Sequence, residues 1–184
     1  MKWNLVALDA VPPQPWRNGR GLTRELLAWP QPASWRVRMS VADIAASAHF
    51  SRFDGIERWF AVVEGDAVVL HSQGSERLLT RADPPLRFDG SVPMYCTLFD
   101  GSTRDFNLMA PPGSAQMSRV RGRRSVHAHA GQLLAVYCHH DPALVELAGS
   151  RLDVPPRHLA WLQLEQPAAG TLACDHGLWM EVAP

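Results

Sequence analysis

Fifteen prolines and thirteen glycines cut this chain into pieces too short for long helices. Proline removes a backbone donor, and glycine weakens any regular element it interrupts. Between these breaks, few windows keep apolar residues at helical spacing for three turns, whereas many alternate at period two. The clearest runs from Trp35 to Ala42. There Trp35, Val37, Met39 and Val41 point one way, and Arg36, Arg38, Ser40 and Ala42 the other.

The same pattern predicts strands over Asn4–Leu8, Thr23–Ala28, Glu76–Thr80, Leu86–Phe88, Pro93–Phe99 and Asp105–Met109. Trp59–Val63 and Ala67–His71 flank Glu64-Gly65-Asp66 and read as a hairpin. Ala42–Ala48 reads as a loop or one helical turn, and Phe50–Gly55 as an irregular loop with aromatic anchors. Pro111-Pro112-Gly113 is the strongest internal break. Beyond it, strands are expected over Ala115–Val120, Ser125–His129, Leu133–His140, Leu159–Leu164, Leu172–Ala173 and Leu178–Val182, with a helical turn at Asp141–Glu146. Roughly ten or more short strands with turns between them predict an all-β sandwich or barrel with little helix. Two halves are expected, 1–110 carrying the site and 111–184 as smaller structural support.

Charge narrows the function. Lys+Arg 18 equals Asp+Glu 18, which excludes a basic nucleic-acid footprint. Arg119-Val120-Arg121-Gly122-Arg123-Arg124 is read as a solvated turn. No apolar run reaches the length of a membrane span, and the first residues lack a signal-peptide pattern. Cys96, Cys138 and Cys174 are odd in number and widely spaced, which points to a reducing compartment, so a cytoplasmic protein is expected.

Four polar groups fall where an inner β surface would open into a pocket. They are Asn18-Gly19-Arg20-Gly21 with Thr23, Arg38 with Ser40, Glu57-Arg58, and Asp105-Phe106-Asn107. An arginine on an inner strand face is costly to bury alone. Arg38 and Arg58 therefore need Asp105 and Glu57 beside them, or an anionic ligand. Guanidinium groups among Ser, Asn and backbone N–H donors suit a carboxylate. Trp16 adds a large apolar wall.

The ordered motifs Pro15-Trp16-Arg17-Asn18-Gly19, Thr23-Arg24-Glu25-Leu26, Trp35-Arg36-Val37-Arg38-Met39-Ser40, Phe50-Ser51, Phe53 and Asp105-Phe106-Asn107-Leu108-Met109 resemble the HutD/Ves family of histidine-utilisation proteins. The match runs from about Trp3 to Met109. It implies a cupin-type (RmlC-like jelly roll) β-barrel, a bicupin with two packed halves. It also implies a non-catalytic regulator of histidine breakdown that binds formate, formylglutamate or urocanate. Asn18, Thr23, Arg38, Ser40, Arg58 and Asn107 are then the ligand-binding candidates, with Trp16, Phe53, Glu57, Asp105 and Met109 in support. A homodimer through sheet edges is a family-level expectation. The chain departs from the family at Arg20, where a glycine is usual, and at His49, Asp54, Glu57 and Ala110-Pro111.

Many cupins hold a metal on a His-x-His pair followed by Glu, but Phe53–Glu64 contains no histidine. His127 and His129 share a strand face with no acidic companion, and His139 and His140 are expected on opposite faces, so a polar strand face is the reading. No cofactor is expected. Gly-x-Ser-x-Gly is absent, and no cysteine is spaced to a histidine partner. The alternatives are a metal-free isomerase or hydrolase of a small carboxylate, a stress-related protein, or an interaction module docking through Arg119–Arg124.

Overall fold

The computed structural model describes all 184 residues. Seventeen strands and two single-turn 3₁₀ helices make it almost entirely β. The first ten strands are β1 (Asn4–Ala7), β2 (Gln14–Pro15), β3 (Gly21–Trp29), β4 (Val37–Ile44), β5 (Ala48–His49), β6 (Glu57–Glu64), β7 (Ala67–Ser72), β8 (Ser75–Thr80), β9 (Leu86–Asp89) and β10 (Tyr95–Leu98). Then come β11 (Thr103–Ala110), β12 (Ala115–Ala128), β13 (Leu133–Cys138), β14 (Ala143–Leu147), β15 (Ser150–Val154), β16 (His158–Gln163) and β17 (Ala168–Val182). No helix is long and apolar enough to cross a membrane.

The chain divides into two compact units, Val11–Gly113 and a second made of Met1–Ala10 with Ser114–Pro184. The first ten residues thus leave the half in which the sequence places them. The reason is pairing: β1 lies antiparallel to β16, from Asn4 opposite Trp161 to Ala7 opposite His158.

In Val11–Gly113 a six-stranded sheet, β2-β3-β4-β11-β6-β9, faces a four-stranded sheet, β5-β10-β7-β8. Ala42, Ile44, Phe60 and Val62 from the first meet Val68, Leu70, Leu79 and Cys96 from the second. Each large apolar side chain so buried contributes about 1.5–3 kcal/mol, which holds the two faces together. The expected hairpin from Trp59 to His71 is not one. β6 and β7 lie in different sheets, so Glu64-Gly65-Asp66 is a corner. Gly65 makes it possible, with φ +88 and a missing Cβ that would meet the Ser102 carbonyl at 2.6 Å. The true hairpin is β7–β8, closed by Gln73 and Gly74 at positive φ. Ala42–Ala48 forms no helical turn, because β4 continues through Ile44 and β5 begins at Ala48.

The other unit is a seven-stranded sheet organised on β17, which pairs β12 along its length, β13 near one end and β14 near the other. Its core gathers Val120, Val126, Leu134, Val136, Val145, Leu162, Leu172 and Trp179. Two expectations fail here. The basic segment Arg119–Arg124 is not a turn but the middle of β12, with a bulge between Val120 and Gly122. Asp141–Glu146 is not helical, because Ala143, Val145 and Leu147 alternate into the core as β14. Leu172 and Leu178 likewise belong to one continuous strand.

Candidate functional site

Antiparallel register converts the alternation of β3, β4, β11, β6 and β9 into rows of side chains across one sheet face. One row reads Glu25, Ser40, Asn107, Phe60 and Leu86. The next reads Arg38, Met109, Arg58 and Phe88. A third, Thr23, Ala42, Asp105 and Val62, lies on the other side of the first. This face opens into a cavity of about 430 Å³. All six ligand-binding candidates, Asn18, Thr23, Arg38, Ser40, Arg58 and Asn107, line it, together with Trp16, Phe53 and Met109.

The turn from β2 to β3 forms one wall. Trp16 N–H donates to the Gly21 carbonyl at 2.9 Å, and Gly19 N–H donates to the Trp16 carbonyl at 3.0 Å. Asn18 Oδ1 accepts from Arg20 N–H at 3.1 Å, which leaves its amide NH₂ as a donor at the cavity wall. Trp16 Nε1 donates to Thr23 Oγ1 at 2.7 Å, which fixes the indole. Arg17 also lines the cavity, whereas Arg20 donates to the Ser47 carbonyl and Arg24 pairs with Asp43.

The two inward arginines differ. Arg38 Nε donates to Glu25 Oε2 at 2.6 Å, so its charge is matched. Arg58 has no acidic partner. It is 5% exposed, its Nη2 donates to Asn107 Oδ1 at 2.9 Å, and its Nη1 donates to the Ser51 carbonyl at 3.2 Å. Its Nε is buried without any acceptor. Three rings surround the guanidinium, Phe50 at 5.1 Å, Phe88 at 5.2 Å and Phe53 at 5.8 Å. Burial, with the Arg38 charge added, pulls Arg58 down from 12.5 to about 10.

Neither acid stands where the sequence puts it. Glu57 accepts from Trp59 Nε1 at 3.3 Å and lies 3.7 Å from Arg87 Nε, because it falls next to Arg58 in the chain and so on the opposite strand face. Asp105 is fully buried beneath the cavity, and its Oδ2 accepts from Thr103 Oγ1 at 2.8 Å. Its Oδ1 has no partner, and burial, reinforced by the charge of Asp43, pushes its carboxyl up to about 8. The acid beside Arg38 is Glu25, a residue the sequence reading leaves unassigned. Its period-two relation to Thr23 is the available signal.

Outside the cavity, His127 and His129 are exposed. His139 and His140 are not on opposite faces of a strand, because β13 stops at Cys138 and frees the backbone. Their rings meet edge to face at 4.7 Å, and Tyr137 Oη lies 2.7 Å from His139 Nδ1.

A family model described as HutD matches residues 9–180. The chain belongs to the HutD family. Among its relatives, a protein named Ves from Cronobacter sakazakii is 33% identical over 100 residues, 54% of this chain and 55% of that protein. The chain thus spans a little over half the length of the curated relatives it matches. Solved structures align along nearly the whole chain. A conserved protein of unknown function from Pseudomonas aeruginosa PAO1 is 26% identical, with a TM-score of 0.85 over 99% of this chain and 98% of that one. HutD from Pseudomonas fluorescens SBW25 shares the fold at 24% identity, with a TM-score of 0.84 over 99% and 98%. The HutD-family fold is cupin-type, and the cavity opens on the inner face of its larger sandwich sheet.

Proposed function

We propose that this HutD-family chain is a non-catalytic binding protein for a small carboxylate, acting as a regulator in cytoplasmic histidine utilisation. The observation that carries this reading is Arg58, a buried cation lining a cavity with no acid beside it. Removing an ion from water costs several kcal/mol even after relaxation, and ring faces return only about 2 kcal/mol. An anion entering the cavity offsets the remainder. Two of the five guanidinium N–H groups are spent on Ser51 and Asn107, so the others remain to receive a carboxylate. Ser40, Thr23 and the Asn18 amide supply neutral hydrogen bonds to the rest of the molecule.

Cavity charge sets the expected ligand. Arg38 is matched by Glu25 and Arg17 is exposed to solvent, which leaves Arg58 as the buried unmatched cation and favours a ligand carrying one negative charge. A volume of about 430 Å³ exceeds what formate fills, so formate would occupy only the Arg58 corner. The related HutD from P. fluorescens was itself determined in a formate condition. Three free cysteines agree with a reducing compartment.

A thermal-shift panel of formate, urocanate, formylglutamate and histidine tests the reading. Ligand at 100 times Kd stabilises the native state by about 2.7 kcal/mol. Absence of any shift with all four at millimolar concentration overturns it, and chemical turnover of one of them transfers the site to the enzyme alternative.

A further inference from the structure

The unit built on β17 holds a pair of thiols that the carboxylate site does not use. Cys138 closes β13, and its Cα partner on β17 is Gly177. Gly177 has no side chain, yet the space is filled: a Cβ there would lie 2.9 Å from Cys174 Sγ. Cross-strand partners place their Cβ atoms about 4.5–5.5 Å apart. The Cys174 sulfur therefore occupies the place of a side chain directly opposite Cys138.

The β12–β17 bulge delivers it there. Val120 pairs with Gly177 and Gly122 with Cys174, so Asp175 and His176 oppose Arg121 alone. Residues three apart on a regular strand face opposite sides; the extra residue returns Cys174 to the side of Cys138. Both sulfurs are free and join the same core. The neighbouring Cys138 thiol, helped by the His176 backbone and opposed by burial, lowers the Cys174 pKa, while Cys174 and burial raise that of Cys138. Access is ordered too. Cys138 is fully buried, whereas Cys174 is 5% exposed and precedes the exposed Asp175 and His176.

We propose that Cys138 and Cys174 form a two-cysteine oxidation site that takes hydrogen peroxide and closes to a disulfide between β13 and β17. The Cys174 thiolate attacks one peroxide oxygen and the O–O bond breaks. The departing hydroxide takes up a proton and leaves as water, and Cys174 becomes a sulfenic acid. The Cys138 sulfur then attacks the Cys174 sulfur as its thiol proton is released. The S–O bond breaks, and the hydroxide leaves with that proton as a second water. Two thiols are oxidised by two electrons, and one peroxide is reduced to two waters. Cys96 serves as an internal control, because it is fully buried in the other unit and burial, with the Asp105 charge, pushes its thiol up to about 12.

The test treats the full chain with peroxide, then unfolds it, alkylates it and maps peptides by mass spectrometry. The expected result is a loss of two hydrogens, a linked Cys138–Cys174 peptide reversed by dithiothreitol, and Cys96 alone alkylated. Cys138→Ser should instead trap a sulfenic acid at Cys174, captured by dimedone. Gly177→Ala keeps both thiols but drives a Cβ into the Cys174 sulfur, so disulfide formation should slow by about tenfold or more in protein that still melts cooperatively. Three alkylated thiols after peroxide overturn the proposal. So do sulfinic acid at Cys174 beside a free Cys138, a bridge to Cys96, or a bridge between two chains. If Gly177→Ala does not fold, the wild-type peptide map decides alone.

Discussion

Arg58 and Asn107 meet across β6 and β11 at 2.9 Å, and this uncharged amide is the only side chain to which the guanidinium hydrogen-bonds. A buried cation supported only by an amide, a carbonyl and aromatic rings burdens the empty protein. Arg58→Met should relieve it. Removing an unpaired buried charge saves a desolvation cost of several kcal/mol, against about 1–3 kcal/mol for each acceptor left on Asn107 and Ser51, so the ligand-free melting temperature should rise. The same substitution should abolish every carboxylate-induced shift. Differential scanning fluorimetry with and without the carboxylate panel reads both effects; a variant that is less stable yet still shifts would place the anion elsewhere.

Glu25 is the counterpart of this argument. Its bond to Arg38 at 2.6 Å removes one positive charge from the cavity. Glu25→Gln should expose that charge and add a second unmatched cation to the sheet row that holds Arg58. Dicarboxylates should then gain on monocarboxylates by about tenfold, or 1.4 kcal/mol, with a steeper dependence on salt. Titration calorimetry of formylglutamate against formate, in both proteins and at two ionic strengths, measures the change. An unchanged ratio would mean that Glu25 does not set the charge the ligand meets.

Much of this site is legible in the sequence because strand alternation is local. Arg38, Ser40 and Ala42 share a face by period two, as do Asn107 and Met109, and the register then brings both sets into one cavity. Which acid neutralises which arginine is a property of pairing between strands, and sequence neighbours mislead. Glu57 is adjacent to Arg58 in the chain and therefore on the other face, while Glu25 reaches Arg38 from β3. The hairpin misreading at Glu64-Gly65-Asp66 has the same origin. A tight turn signal shows that the chain reverses or bends, not whether the next strand joins the same sheet. The Arg119–Arg124 turn fails for a related reason: β12 carries Arg121 and Arg123 on exposed positions and Arg119 and Arg124 on half-buried ones, while Val120 and Val126 keep it in the core.

Asp105 gives stability a pH dependence. Its ordinary value of 3.8 is raised to about 8, first by burial and then by the charge of Asp43, with the Thr103 hydroxyl opposing. A carboxyl raised on folding binds its proton more tightly in the native state. Its contribution is complete below about pH 4 and is lost as pH rises through about 8. Wild-type protein should therefore lose a few kcal/mol between pH 5 and pH 8 that Asp105→Asn does not lose. Urea unfolding of both proteins at the two pH values makes the comparison. Parallel losses would show that Asp105 is already ionised in the native state.

The last expectation concerns how the indole wall is held. Gly21 is buried beneath Trp16, and a Cβ on it would meet the Asp43 carbonyl at 2.8 Å and the indole Cδ2 at 3.0 Å. Gly19, two residues earlier, has φ +69 and open space where its Cβ would be. Alanine at either position should destabilise, but for different reasons. At Gly19 the cost is backbone strain of about 1–2 kcal/mol in the left-handed region, and the indole is untouched. At Gly21 the cost is overpacking of about 1–3 kcal/mol against both the Asp43 carbonyl and the indole, and relief of the second contact moves Trp16 off its 2.7 Å bond to Thr23. Carboxylate binding should accordingly survive Gly19→Ala and weaken in Gly21→Ala, compared as thermal shifts at matched ligand concentration. Equal binding in the two variants would show that the position of Trp16 does not shape the cavity's affinity.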